Sequence, residues 1–315
     1  MSLQDYLTAV EAAFRAYGNG QAEVPLPTHI ATPGGTFHAK SAGLFLDKPY
    51  VAVKVNGNFP GNLQRRGLPT IQGVIVLCDG ADGTVLAVMD SIEITSRRTA
   101  AATALAARYL APADTETVAV CGCGVQGRAQ LEALAAAMRI RRVLAWDIDE
   151  SNARQFARDM GETLGLEVDV AAEPQHATRQ ARVIVTATTA RVPFVTEEMI
   201  PPGAFVAAVG ADNPEKSELT PELMASAKIV VDMLAQATTM GDLHHAIDAG
   251  LMTEDDVHGE LADLVVGRKP GRVSGSETFV FDSTGMAIQD VASAVAIWQR
   301  AAANNLGFSI QFGAL

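Results

Sequence analysis

Thr117-Val118-Ala119-Val120-Cys121-Gly122-Cys123-Gly124-Val125-Gln126-Gly127 is an apolar strand that runs directly into GxGxxG, and Arg128 to Met138 continues it as a helix. Each glycine has a mechanical reason to be there. Gly122 permits a tight turn, Gly124 lets the backbone approach a pyrophosphate, and Gly127 lets helix and strand pack closely, with the helix N-terminus facing the anion. The motif alone is weak, but Val143 to Trp146 reads as a second strand that ends in Asp147, where a carboxylate accepts hydrogen bonds from the adenosine ribose hydroxyls. Strand, turn, helix and acid together predict a dinucleotide site. Asp147 would repel a ribose 2′-phosphate, and Ile148-Asp149-Glu150 brings no compensating cation, so NAD is favoured over NADP; Arg154 is the nearest base that could reach such a phosphate.

Outward from this motif, β-rich runs at 117–121, 141–147, 166–172, 181–189, 204–211 and 228–233 alternate with helical stretches, the pattern of a doubly wound parallel sheet. Upstream, residues 1–111 read as an α+β unit: a helix from Leu3 to Tyr17, several strands punctuated by Gly57-Asn58-Phe59-Pro60-Gly61-Asn62 and Asp79-Gly80, and an alanine-rich helix from Ile92 to Leu110. The tail from Thr284 to Asn305 reads as a long amphipathic helix that packs back on the first domain. The expected organisation is α/β: a Rossmann-type domain over 112–284, and an α+β substrate-binding and dimerisation domain made of 1–111 with 285–315.

The chain has 315 residues, 48% of them hydrophobic, enough for two cores rather than one. A formal net charge of −12 gives no general attraction for nucleic acid or an anionic membrane surface. The longest apolar runs fall well short of the roughly 20 residues that a membrane helix needs. Met1 to Tyr6 leads into an amphipathic segment without the basic and apolar regions of an export signal. Cys78, Cys121 and Cys123 lie in apolar runs without disulfide or metal-ligand spacing, so no metal is expected and a reducing, cytoplasmic setting is.

Three places could carry chemistry. In Phe37-His38-Ala39-Lys40 and Val53-Lys54-Val55-Asn56 the strand period puts Lys40 and Lys54 on one face if the two strands form a hairpin through 44–49; two amines there suit a carboxylate, the plainer alternative being a solvated face. Arg97-Arg98 sits near a helix start, where cations are unfavourable unless an anion is close, which suggests a bound anion; a solvated pair is the alternative. Asp212 follows strand 204–211 at the carboxyl edge, as a general base, a partner for a substrate amine, or a plain loop acid.

The chain resembles the ornithine cyclodeaminase/μ-crystallin family along nearly its whole length. The motifs that carry the resemblance are Lys54-Val55-Asn56-Gly57 with Pro60-Gly61-Asn62, Gly67-Leu68-Pro69-Thr70, Arg98-Thr99-Ala100-Ala101, GxGxxG with Arg128-Ala129-Gln130, Gly210-Ala211-Asp212 with Lys216 and Glu218-Leu219, and Phe281-Asp282-Ser283-Thr284-Gly285. The resemblance implies a homodimer, with Lys54 and Arg98 binding the substrate carboxylate, Arg98 also near the nicotinamide, and Asp212 as the catalytic acid/base. It also implies cofactor contacts at Thr70, Val125, Gln126, Asp147, Thr188, Lys216 and Ser283. The cyclodeaminases carry a further first-domain arginine. The matching stretch here, Pro25-Leu26-Pro27-Thr28-His29, has none, and Lys40 is the candidate for its place, as a point charge without the guanidinium fork.

The activity so implied is that of an NAD-dependent enzyme acting on a small amino or imino acid. In ornithine cyclodeamination, hydride leaves Cα, the δ-amine attacks the resulting imine, ammonia departs and the hydride returns. The alternatives are a net NAD(P)H-dependent reductase of cyclic imines such as pyrroline-2-carboxylate, an amino-acid dehydrogenase, and, from another class, a non-catalytic crystallin-like NAD(P)-binding protein.

Overall fold

Six strands near the N-terminus form one antiparallel sheet: β1 (Ala22–Glu23), β2 (Thr28–Thr32), β3 (Gly35–Phe45), β4 (Pro49–Asn58), β5 (Ile71–Asp79) and β6 (Val85–Asp90), in the order β1-β3-β4-β5-β6 with β2 also on β3. They are taken from a computed structural model that describes residues 1–310. Because side chains alternate across a strand, the sheet has two unlike faces. Ala42, Leu44, Ala52, Ile75 and Leu77 are buried on one of them, against helices Leu3–Gly18 and Ala287–Ala303. The first of these helices starts on a capping box between Ser2 and Asp5. On the opposite face the register lines up Ala39–Val55–Val74 and Ser41–Val53–Val76–Val88. Val53, Val55, Val74 and Val88 are 39%, 39%, 43% and 54% exposed, so an apolar face remains open to solvent.

Eight further strands form a parallel sheet: β7 (Thr117–Cys121), β8 (Arg142–Trp146), β9 (Glu167–Val170), β10 (Val183–Thr186), β11 (Phe205–Ala208), β12 (Lys228–Val231), β13 (Gly259–Glu260) and β14 (Phe279–Asp282), ordered β13-β12-β14-β11-β10-β7-β8-β9. This is the doubly wound fold that the sequence predicts. The order reverses between β7 and β10, and the glycine turn leaves β7 at that switch point, where open α/β sheets bind their ligands. All six runs read as strands are strands. β13 and β14 are not among them: two residues, and four that are all buried, are too short to show a period.

The chain divides into two compact units, Met1–Arg98 with the segment from Met286, and Thr99–Gly285. The first boundary falls inside helix Ile92–Leu110, and the tail helix Ala287–Ala303 lies in the first unit, on Leu3–Gly18, β3 and β4. Of the expected segment 285–315, residues 311–315 lie outside the described residues. No helix among the described residues is long and apolar enough to cross a membrane, and none of their His, Cys, Asp and Glu side chains form a metal-binding group. The three cysteines are free thiols; burial pushes Cys123 up to about 12, so it is held as the protonated thiol.

Candidate active site

In the first unit, the hairpin β3–β4 pairs Lys40 directly with Lys54. Directly paired residues of an antiparallel ladder point to the same face, here the covered one, and Lys54 is only 4% exposed. The solvated alternative therefore fails for Lys54. Its Nζ lies 2.7 Å from Asp290 Oδ2 and donates to Thr95 Oγ1 at 3.4 Å.

The two arginines of helix Ile92–Leu110 part company, since neighbours on a helix face different ways. Arg97 points outward, its Nε donating to Glu93 at 2.8 Å. Arg98 lies on the buried stripe with Ile94, Ala101, Ala102 and Leu105, donating from Nε to Asp290 Oδ1 at 2.9 Å and from Nη1 to Gln289 Oε1 at 2.7 Å. The anion expected beside this pair is thus supplied by the protein itself. Burial, with Arg98 adding to it, pushes the Lys54 ammonium down to about 7 against the pull of Asp290. The result is a buried double cation held by one carboxylate, with Lys40 on the same face.

Asp290 and Gln289 escape the reading of the sequence. Their signal is an acid and an amide in the stripe Ala287, Ile288, Val291 and Ala294, where an amphipathic helix otherwise buries apolar side chains. Thr70, expected at the cofactor, precedes β5 in this unit, and its carbonyl accepts the Phe59 N–H.

In the second unit the carboxyl edge of the sheet brings the other expected residues together. Gly122 has φ +103°, a conformation that strongly favours glycine, and a Cβ at Gly127 would run into the Gly122 carbonyl. At Gly124 a Cβ would meet nothing of the protein. The fold therefore gives no packing reason for that glycine. A diphosphate approaching the start of helix Val125–Ala137, whose N-cap Gly124 offers no capping side chain, gives one. Asp147 accepts the Cys123 N–H at 2.8 Å and the Asp149 N–H at 2.9 Å, so the acid is tied to the glycine turn with lone pairs to spare. Arg154 is already paired with Glu150 at 2.6 Å. Val125 is 70% exposed and Gln126 half-buried at the first turn of the helix. The residues present fit a dinucleotide.

Asp212 lies beyond β11, and its Oδ1 accepts from Lys216 Nζ at 2.7 Å. The Thr188 hydroxyl donates to Glu218 and accepts the Ala190 N–H, while Ser283 is buried with its hydroxyl 3.5 Å from Asp232. Both side chains therefore serve the protein's own loops. Glu218, another residue that the sequence reading leaves without a role, fixes those loops: its buried carboxylate accepts the Thr188 N–H at 2.6 Å, the Gly210 N–H at 2.9 Å and the Thr186 hydroxyl at 2.7 Å. Burial pushes it up to about 7. Asp242 repeats the device one loop on, accepting the Glu218 and Leu219 N–H groups, and is raised to about 6 by its burial.

The sequence model of the ornithine cyclodeaminase/mu-crystallin family matches residues 1–305. The chain belongs to this family. Among its relatives, the alanine dehydrogenase of Archaeoglobus fulgidus is 38% identical over 312 residues, 99% of this chain and 95% of that protein. A solved archaeal alanine dehydrogenase dimer with bound NAD superposes with a TM-score of 0.94 at 38% identity, covering 99% and 95% of the two chains. The Δ1-pyrroline-2-carboxylate reductase of Thermococcus litoralis, in complex with NADH and L-proline, superposes with a TM-score of 0.95 at 34% identity, covering 98% and 96%. As a member of the ornithine cyclodeaminase/mu-crystallin family, the chain carries both the cation pair in its first unit and the glycine turn in its second.

Asp147, tied to the glycine turn with lone pairs to spare, is the residue on which to test the cofactor preference. Asp147→Ser should raise affinity for NADPH relative to NADH by about tenfold or more, because a repelling carboxylate is removed beside the adenosine ribose. Parallel fluorescence titrations with the two cofactors check it, and an unchanged ratio would refute the assignment.

Proposed function

We propose that the protein is an NAD-dependent enzyme that interconverts a small α-imino or α-keto acid and the corresponding amino acid. The observation that carries this reading is the buried pair Lys54 and Arg98, placed side by side on one carboxylate and retaining donors for another. Bound NAD or NADH supplies the acceptor or donor of a hydride at the substrate Cα. Lys54 and Arg98, with Lys40 on the same strand face, bind and orient the substrate carboxylate. Asp212 holds and moves a proton at the substrate nitrogen, and Lys216 fixes the rotamer of that acid through its short ion pair. Gly122, Gly124, Val125, Gln126, Gly127 and Asp147 form the cofactor cradle. Thr188 and Ser283 contribute by shaping its loops, and Thr70 and Lys216 are further contacts.

Net redox chemistry is supported by the likeness to solved structures of an alanine dehydrogenase and a Δ1-pyrroline-2-carboxylate reductase, at 38% and 34% identity. The redox-neutral reading keeps support from Asp212 in its Gly-Ala-Asp loop. The free thiols Cys78, Cys121 and Cys123 support a reducing, cytoplasmic setting, and a second copy of this chain covers the open valine face to make a homodimer.

NADH absorbance and free ammonia, followed in parallel over a panel of amino acids, keto acids with ammonia, and cyclic imines, separate these readings. Stoichiometric NADH change is expected; ammonia from ornithine without NADH change would instead establish a cyclodeaminase, and silence in both would leave a cofactor-binding protein. Asp212→Asn should lower turnover by about 100-fold or more with NADH affinity unchanged, and full retained turnover would remove Asp212 from the mechanism. Sedimentation should show a dimer that Val55→Lys dissociates, whereas a monomeric parent protein would exclude the valine-face contact.

A further inference from the structure

A clamp for a substrate carboxylate that already contains a protein carboxylate needs an explanation. An ammonium has three N–H groups and a guanidinium five; Lys54 spends one on Asp290 and one on Thr95, and Arg98 spends Nε on Asp290 and one Nη1 N–H on Gln289. Both cations therefore keep donors. What they lose is freedom to swing. We propose that Asp290, from the C-terminal helix, is the positioning residue of the site: resting on the reading of Lys54 and Arg98 as carboxylate binders, it fixes the two cations side by side so that their remaining donors converge on one substrate carboxylate.

Burial makes this role necessary. Lys54, Arg98 and Asp290 are 4%, 3% and 2% exposed, so water does little to separate two like charges held close together. The charged groups facing Lys54 are Arg98 from helix Ile92–Leu110, Lys40 from β3 and Asp290 from helix Ala287–Ala303; of these, Asp290 alone favours the ammonium. Burial works against the Asp290 carboxylate too, but Arg98 and Lys54 overcome it and hold it below the ordinary carboxylate range. Asp290 is therefore ionised throughout the neutral region. Lys54, lowered to about 7, is charged below that pH and loses its proton as the pH rises through it. Taking away the Asp290 charge removes the one neighbour that retains the proton. The loss of the ammonium then moves to lower pH, and the site is short of one cation at neutrality.

Only six lysines occur in the chain, Lys40, Lys48, Lys54, Lys216, Lys228 and Lys269, so each can be followed by NMR in protein isotopically labelled at lysine Cε, with Lys54 assigned by its loss in Lys54→Arg. In the parent protein Lys54 should titrate near 7. In Asp290→Asn it should titrate at least about one pH unit lower, and KM for the amino acid at neutral pH should rise about tenfold or more with a smaller change in kcat. NADH affinity should stay as in the parent, which shows that the second unit is folded. An unmoved Lys54 titration in folded Asp290→Asn would overturn the proposal, as would a uniform fall of kcat/KM at every pH. Should Asp290→Asn not fold, Asp290→Glu carries the test: the charge is kept but displaced by one methylene, so Lys54 should titrate near its parent value while KM rises, and a parent-like KM would overturn the proposal. If the parent protein turns over no amino or imino acid, the proposed function falls, while the Lys54 titration still decides the role of Asp290.

Discussion

The buried contact of Asp290 with Lys54 and Arg98 is the constraint around which the first unit is organised. Removing one partner from a buried ion cluster leaves an uncompensated charge, at a cost of about 3–5 kcal/mol. That single triad ties together β4, the helix Ile92–Leu110 and the C-terminal helix Ala287–Ala303, joining Asp290 to Arg98 across 192 residues of chain and to Lys54 across a still longer stretch. It gives a physical reason for the chain to return to its first sheet after the whole parallel sheet has been made. An apolar triad would fill the space with less penalty. Retaining two cations and one acid makes sense if the excess positive charge has an anion to meet.

The second unit solves a similar problem with the opposite sign. Loops at the carboxyl edge of a parallel sheet leave backbone N–H groups without strand partners, and Glu218, Asp242, Asp232 and Asp282 collect them: Thr188, Gly210, Glu218, Leu219, Gly285 and Leu243 each donate to one of these buried acids. These hydrogen bonds offset part of the cost of burying the acids, and their burial is what raises Glu218 and Asp282 above the ordinary carboxylate range. Loops pinned in this way carry Thr188 and the turn from Gly210 to Asp212, while the glycine turn is fixed separately by Asp147, an arrangement that suits a site that must hold a cofactor in one place.

Much of this was legible in the residues because the controlling interactions are local. The path from Thr117 through GxGxxG to Met138 is strand, turn and helix by short-range sterics, and Asp147 follows its strand at the position that the turn requires. The Lys40–Lys54 pairing follows from strand period and a short connection. Asp290 was hidden for the converse reason. Its meaning depends on Lys54 and Arg98, which reach it only through the folded sheet, and along its own helix it reads as one acid among alanines. Arg97 and Arg98 show the same limit: their place in the helix points to a bound anion, whereas the anion that Arg98 meets is Asp290 of a distant helix, which cannot be read locally. The strand Phe279–Asp282 is not legible from the sequence, because four buried residues carry no periodic signal.

Calorimetric titration of the NADH-saturated protein with L-proline and with L-prolinamide, which differ in the carboxylate alone, separates a carboxylate clamp from an ion cluster that serves the fold only. If Lys54 and Arg98 form a carboxylate clamp, the acid should bind at least about 100-fold more tightly than the amide at neutral pH, the loss expected when a buried charge pair is left without its partner. Equal binding of acid and amide would show that Lys54 and Arg98 do not hold a substrate carboxylate.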